Sequence, residues 1–122
     1  MKKRVLNIGQ CGPDTASLTH FLTAHFDVEI VSTKLPADTL AALRESRFDL
    51  ALINRKLDED YSDGMEILKA IKADPALAAT PTMIVSNHPE AQDEAVAAGG
   101  ERGFGKLELN AATAERLKQQ LA

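Results

Sequence analysis

The chain has 122 residues, 44% of them hydrophobic, with 14 Lys and Arg against 18 Asp and Glu and a formal charge of −4. This acidic balance, with no basic run beyond Lys2-Lys3-Arg4, argues against a nucleic-acid-binding domain, and one cysteine cannot staple a disulfide-dependent fold. No apolar stretch approaches the roughly 18 residues that would span a membrane, and no secretory leader is evident, so a soluble chain in a reducing cytoplasm is expected.

The first strand-like run, Arg4-Val5-Leu6-Asn7-Ile8, ends in Gly9, and a Gly12-Pro13-Asp14 turn then starts a helix. Leu18, Phe21, Leu22, His25 and Phe26 recur at three- and four-residue spacing, which predicts one apolar stripe along that helix. Asp27-Val28-Glu29-Ile30-Val31 alternates polar and apolar, as an edge strand does. A short helix from Pro36 to Arg44 follows, marked by Leu40 and Leu43. Phe48-Asp49-Leu50-Ala51-Leu52-Ile53 is almost continuously apolar, which predicts a central strand covered on both faces.

From Gly64 the spacing of Met65, Leu68 and Ile71 is helical again, and Asp74-Pro75 ends it. Pro81-Thr82-Met83-Ile84-Val85 reads as a fourth strand, Pro89 suits the first turn of a helix, and Gly99-Gly100 supplies its stop. A short fifth strand around Phe104 leads to a last helix carrying Leu117 and Leu121. This β/α alternation predicts an open, doubly wound parallel sheet with helices on both faces. Ligands of such sheets sit outside the carboxyl ends of the strands. The residues to weigh are therefore Gly9 to Asp14, Asn54 to Asp63, Ser86 to His88 and Gly105 to Leu107.

At these positions the chain resembles the receiver domain of two-component response regulators. Phe48 to Asn54 is similar to that family's third strand, which ends in the phosphorylated aspartate, and Ser62-Asp63-Gly64-Met65-Glu66-Ile67-Leu68 to the loop and helix after it. Pro81 to Ser86 is similar to the fourth strand with its terminal hydroxyl residue, and Ala97-Ala98-Gly99-Gly100 leads to Phe104-Gly105-Lys106, where the family places its lysine. The resemblance implies an α/β, (βα)5 flavodoxin-like sheet with strand order 2-1-3-4-5, in a single receiver-like domain over residues 1–122.

The departures from the family carry as much meaning as the matches. A receiver needs a carboxylate to accept the phosphoryl group and an acidic pair after the first strand to hold Mg²⁺. Here the acceptor-equivalent position is Asn54, and the pair falls at Gly9 and Gln10. A carboxamide cannot form the acyl phosphate, so a degenerate receiver without aspartyl phosphorylation, without Mg²⁺ and without enzymatic activity is expected. Ser86 and Lys106 remain at the phosphoryl-contact positions, but Leu107 replaces the usual following proline, and Gly103 replaces the usual aromatic. The function implied is a signalling module that works through a protein partner, with contact along residues 90–121 and room for a weak homodimer.

Individual residues also have plainer readings. Asn54 can bond neighbouring loop backbone, Ser86 can cap the helix beginning near Pro89, and Asp14 can cap the first helix. Lys106 is expected to pair with the loop after the third strand, which carries Asp58, Glu59, Asp60 and Asp63 and is longer than the usual receiver spacing. Those acids read as solvated surface. His20 and His25 fall on the first helix, His25 as a packing residue, and His88 beside the site, so no metal triad forms. Two other functions stay open. Cys11, in the first strand-to-helix turn, could serve a small phosphotransfer enzyme, although Ser17 stands where small phosphatases need arginine. Alternatively, an anion could bind near Ser86 and Lys106; Gly9 and Gly12 make only a fragment of a dinucleotide loop.

Overall fold

The computed structural model describes residues 2–122 as alternating strands and helices. In chain order these are β1 (Lys3–Ile8), α1 (Gly12–His25), β2 (Val28–Thr33), α2 (Pro36–Glu45), β3 (Leu50–Asn54), α3 (Gly64–Ala73) and β4 (Thr82–Val85). Then come α4 (Pro89–Ala97), β5 (Glu101–Phe104), a 3-10 turn at Lys106–Glu108, and α5 (Ala111–Leu121). All strand pairs are parallel and the sheet order is β2-β1-β3-β4-β5, as the sequence led one to expect.

Successive side chains of a strand point to opposite faces, and β3 uses that alternation to build two cores. Leu50 and Leu52 join Val5, Met83 and Phe104 beneath Leu18 and Leu22 of α1 and Leu117 of α5. Ala51 and Ile53 face the other way and pack with Ile8 and Ile84 against Leu43 of α2, Leu68 and Ile71 of α3 and Ala95 of α4. All four of these β3 residues are fully buried, which is why the strand reads as continuously apolar. Burial of each large aliphatic side chain contributes about 1.5–3 kcal/mol, so the paired layers fix where the strand ends lie.

Three details differ from the sequence reading. Phe48 and Asp49 precede β3 instead of beginning it: the Asp49 carboxylate accepts from the Arg4 backbone N–H at 2.8 Å, and Phe48 is buried 4.5 Å beneath the Arg4 guanidinium. β2 runs on through Ser32 and Thr33, whose polarity hid their place in the sheet; they pair with Asn7 and Ile8. His25 is exposed and does not pack in the core. The buried residues of α1 end at Leu22, and the His25 ring lies at the helix end with its centroid 5.0 Å from that of Phe21 and 6.3 Å from that of Phe26.

Candidate functional site

The carboxyl ends of β1, β3, β4 and β5 bring Gly9, Asn54, Ser86 and Lys106 to one edge of the sheet. Gly9 adopts φ +72, a left-handed conformation that favours glycine, and a Cβ built on it would lie 2.3 Å from Leu57 Cδ2. Leu57 is fully buried over this turn. A carboxylate side chain at Gly9 would therefore meet both backbone strain and an occupied space. The Gly9 carbonyl accepts from Asn54 Nδ2 at 3.0 Å and from the Asp58 backbone N–H at 2.9 Å. Asn54 thus bonds neighbouring loop backbone, and the β3–α3 loop is clasped onto the β1–α1 turn.

That loop has internal structure of its own. Leu57 N–H donates to the Ser62 carbonyl and Tyr61 N–H to the Leu57 carbonyl, with Tyr61 at φ 59. Its acids are dispersed among separate tasks. Asp60 accepts from the Ser62 hydroxyl at 2.7 Å and its backbone N–H at 3.0 Å, and these bonds hold its carboxyl below the ordinary value. Asp63 caps α3 by accepting from the Met65 N–H at 2.9 Å and pairs with Arg55. Asp58 and Glu59 stay exposed. Among the described residues, no three His, Cys, Asp or Glu side chains converge as a metal-ligand group.

Lys106 does not reach that loop. Its Nζ lies 2.6 Å from Asp14 Oδ2, so β5's end is tied to the first turn of α1. The expected cap at Asp14 is likewise replaced by this pair: Cys11 is the α1 N-cap and the helix has no side-chain cap. Asp14 has a better partner within reach, since an ammonium offers a stronger bond than a backbone N–H. The Lys106 bond, with a lesser one from the Cys11 thiol, draws the Asp14 carboxyl below its ordinary value despite opposing burial.

Ser86 is buried, and its hydroxyl accepts from the His88 N–H at 3.1 Å, two residues on and at the N-cap of α4. It turns the chain ahead of the helix but does not cap it as expected: His88 is the α4 N-cap, and no side chain supplies a cap bond there. Beside it lies a residue the sequence reading passed over. Gln92 of α4 is 6% exposed, donates to the Ile84 carbonyl at 2.9 Å and the Ser86 carbonyl at 3.2 Å, and accepts from the Gly103 N–H at 2.7 Å. Its amide bridges the register shift between β4 and β5. A Cβ on Gly103 would lie 2.3 Å from the Ile84 carbonyl oxygen, which accounts for glycine where the resemblance leads one to expect an aromatic. The available signal was spacing: Gln92 lies between Ala91 and Ala95 on the buried face of α4. Leu57 had no such signal, being a lone apolar residue in an acidic loop.

No protein-family model matches the chain, and no curated protein sequence matches it. Solved structures do match over nearly the whole length. The chain is similar to the receiver domain of a DNA-binding response regulator from Colwellia psychrerythraea, at 26% identity and TM-score 0.79 over 97% of both chains. It is similar to the chemotaxis protein CheY4 of Vibrio cholerae at 20% identity and TM-score 0.78, covering both chains completely. The phosphorylated cyanobacterial phytochrome response regulator RcpA is similar at 19% identity and TM-score 0.78, over 98% of this chain and 94% of that one. The fold is the flavodoxin-like fold of response-regulator receivers.

Proposed function

We propose that the chain is a receiver-like module of two-component signalling that is not phosphorylated at the end of β3 and acts by protein–protein contact. The observation that carries this reading is the bond from Asn54 to the Gly9 carbonyl beneath a buried Leu57. Phosphoryl transfer needs an ionised carboxylate and a cation to neutralise the developing charge. Asn54 supplies neither nucleophile nor charge, and Gly9 and Gln10 offer a divalent cation no anionic ligand. The residues present do not fit Mg²⁺.

An anion at Ser86 and Lys106 is disfavoured because the Lys106 charge is answered by Asp14. Cys11 as a nucleophile is disfavoured because Ser17, not arginine, stands six residues on. We assign the partner contact to α4, β5 and α5, residues 90–121, where Val96 and Leu107 are exposed, Leu107 to 86%. Gln92 holds α4 against β4 and β5, so this surface is offered in one arrangement. A cytoplasmic location suits such a module, and among the described residues no helix is long and apolar enough to cross a membrane.

Titration of the ¹⁵N-labelled chain with MgCl₂ tests the metal half of the reading. The amides of Gly9, Gln10, Asn54 and Asp58 should show no local saturable shift. Saturable movement confined to those four residues would contradict it.

A further inference from the structure

Leu57 stands in the β3–α3 loop between exposed Lys56 and Asp58, yet it is fully buried and belongs to the core with Ile8, Ile53 and Met65. Its backbone is held on both sides. Its N–H donates to the Ser62 carbonyl at 2.9 Å, its carbonyl accepts from the Tyr61 N–H at 2.8 Å, and the next N–H, of Asp58, donates to the Gly9 carbonyl at 2.9 Å. The length of this loop lets residues 57–62 turn back on themselves and sets the Leu57 side chain on the β1–α1 turn. A Cβ placed on Gly9 would come inside contact distance of Leu57 Cδ2 and lie 3.3 Å from its Cγ and 3.4 Å from its Cα. In solvent the end of a leucine would rotate away, but here it is packed in a dense core and the Cα behind it is fixed by those bonds.

The place matters because the resemblance to receivers puts one of the two cation-holding carboxylates at residue 9. Magnesium demands near-octahedral oxygen coordination at about 2.0–2.1 Å and keeps several of its waters. A leucine methyl group offers no lone pair, and one that is fully buried leaves no room beside Gly9 for those waters. Gly9 itself sits at φ +72, where any side chain is strained. Lack of charge and lack of space are therefore separate obstacles. Gly9, Gln10 and Asn54 set the first, and Leu57 sets the second.

We propose that Leu57 is a built-in apolar plug that closes the cation position by shape, so that restoring the carboxylates without moving Leu57 leaves Mg²⁺ excluded. The metal test rests on the proposed reading of positions 9, 10 and 54. Mn²⁺ serves as the probe, since it takes the same octahedral oxygen ligands and broadens the resonances of nearby amides. In Gly9→Asp/Gln10→Asp/Asn54→Asp, affinity for Mn²⁺ should rise less than about fivefold over the parent, and adding Leu57→Ala should raise it by more than about fivefold again. A larger gain in the triple variant, or a smaller one on adding Leu57→Ala, would overturn the proposal. A stability cycle on milder variants decides the matter should the multiple variants not fold. Gly9→Ala should lower the urea midpoint of the parent, and by about half as much in Leu57→Val, whose shorter side chain withdraws from the added Cβ. Equal losses in the two backgrounds would show that Leu57 does not fill this space and would overturn the plug. Phosphorylation of the parent chain would instead sink the signalling reading on which the metal test rests.

Discussion

Asn54 Nδ2 donates to the Gly9 carbonyl oxygen at 3.0 Å, and this bond joins the ends of β3 and β1, adjacent strands of the sheet. The same carbonyl takes the Asp58 N–H at 2.9 Å, so one oxygen anchors both the acceptor-equivalent residue and the loop that follows it. A side chain that can donate is required at position 54 for this arrangement. Asn54, at the acceptor-equivalent position, therefore also closes the strand ends.

Asn54→Asp follows directly from that geometry. An ionised carboxylate cannot donate to Gly9 and would face its carbonyl dipole, at a cost of about 1–3 kcal/mol. Urea denaturation at neutral pH should show a lower midpoint with an unchanged slope. The variant should also gain no Mg²⁺-dependent phosphorylation, because Gly9 and Gln10 still supply no carboxylate. Robust modification would show that Asp14 or Asp58 can hold the cation.

Gln92→Leu tests the contact between α4 and the sheet. It strands the Ile84 and Ser86 carbonyls and the Gly103 N–H, the three groups that the amide satisfies. With about 1–3 kcal/mol for each group left buried and unpaired, partly relieved by water, a loss of about 2–4 kcal/mol is expected. Hydrogen exchange should speed up at the Gly103 amide before it does in β1 or β3. A variant as stable as the parent would mean that the amide is not the clasp described.

The Lys106–Asp14 pair fixes a pH dependence. The folded Asp14 carboxyl lies below its ordinary value of 3.8, so its contribution is complete at neutral pH and is lost as pH falls below 3.8 through the lower folded value. Both side chains are about one-third exposed, 33% and 30%, which limits the pair to about 0.2–1 kcal/mol. Lys106→Ala should lower stability by that much at neutral pH, with the difference shrinking in acid. NMR titration should find the Asp14 carboxyl back near the ordinary carboxylate range in the variant.

The sheet was legible in the sequence because burial writes itself into periodicity. Leu50 to Ile53 read as a central strand since both of its faces are covered, and Leu18, Phe21 and Leu22 read as a helix face since one side is. Ser32 and Thr33 were missed as strand because their hydroxyls serve Asn7 and Thr39. At the site, residue identity alone showed what Asn54, Gly9 and Gln10 lack. It could not show what fills the space, because Leu57 reaches Gly9 and Lys106 reaches Asp14 across the fold, with no local pattern to announce either contact. Gln92 is announced only by its place on the buried face of α4, because its three partners lie on β4, the turn after it, and β5.

The most direct measurement of the central claim is the intact mass of the chain after incubation with acetyl phosphate and MgCl₂. The mass should be unchanged. A gain of one phosphoryl group that survives native conditions and is lost on treatment with base, as an acyl phosphate is, would contradict the reading of this chain as an unphosphorylated receiver.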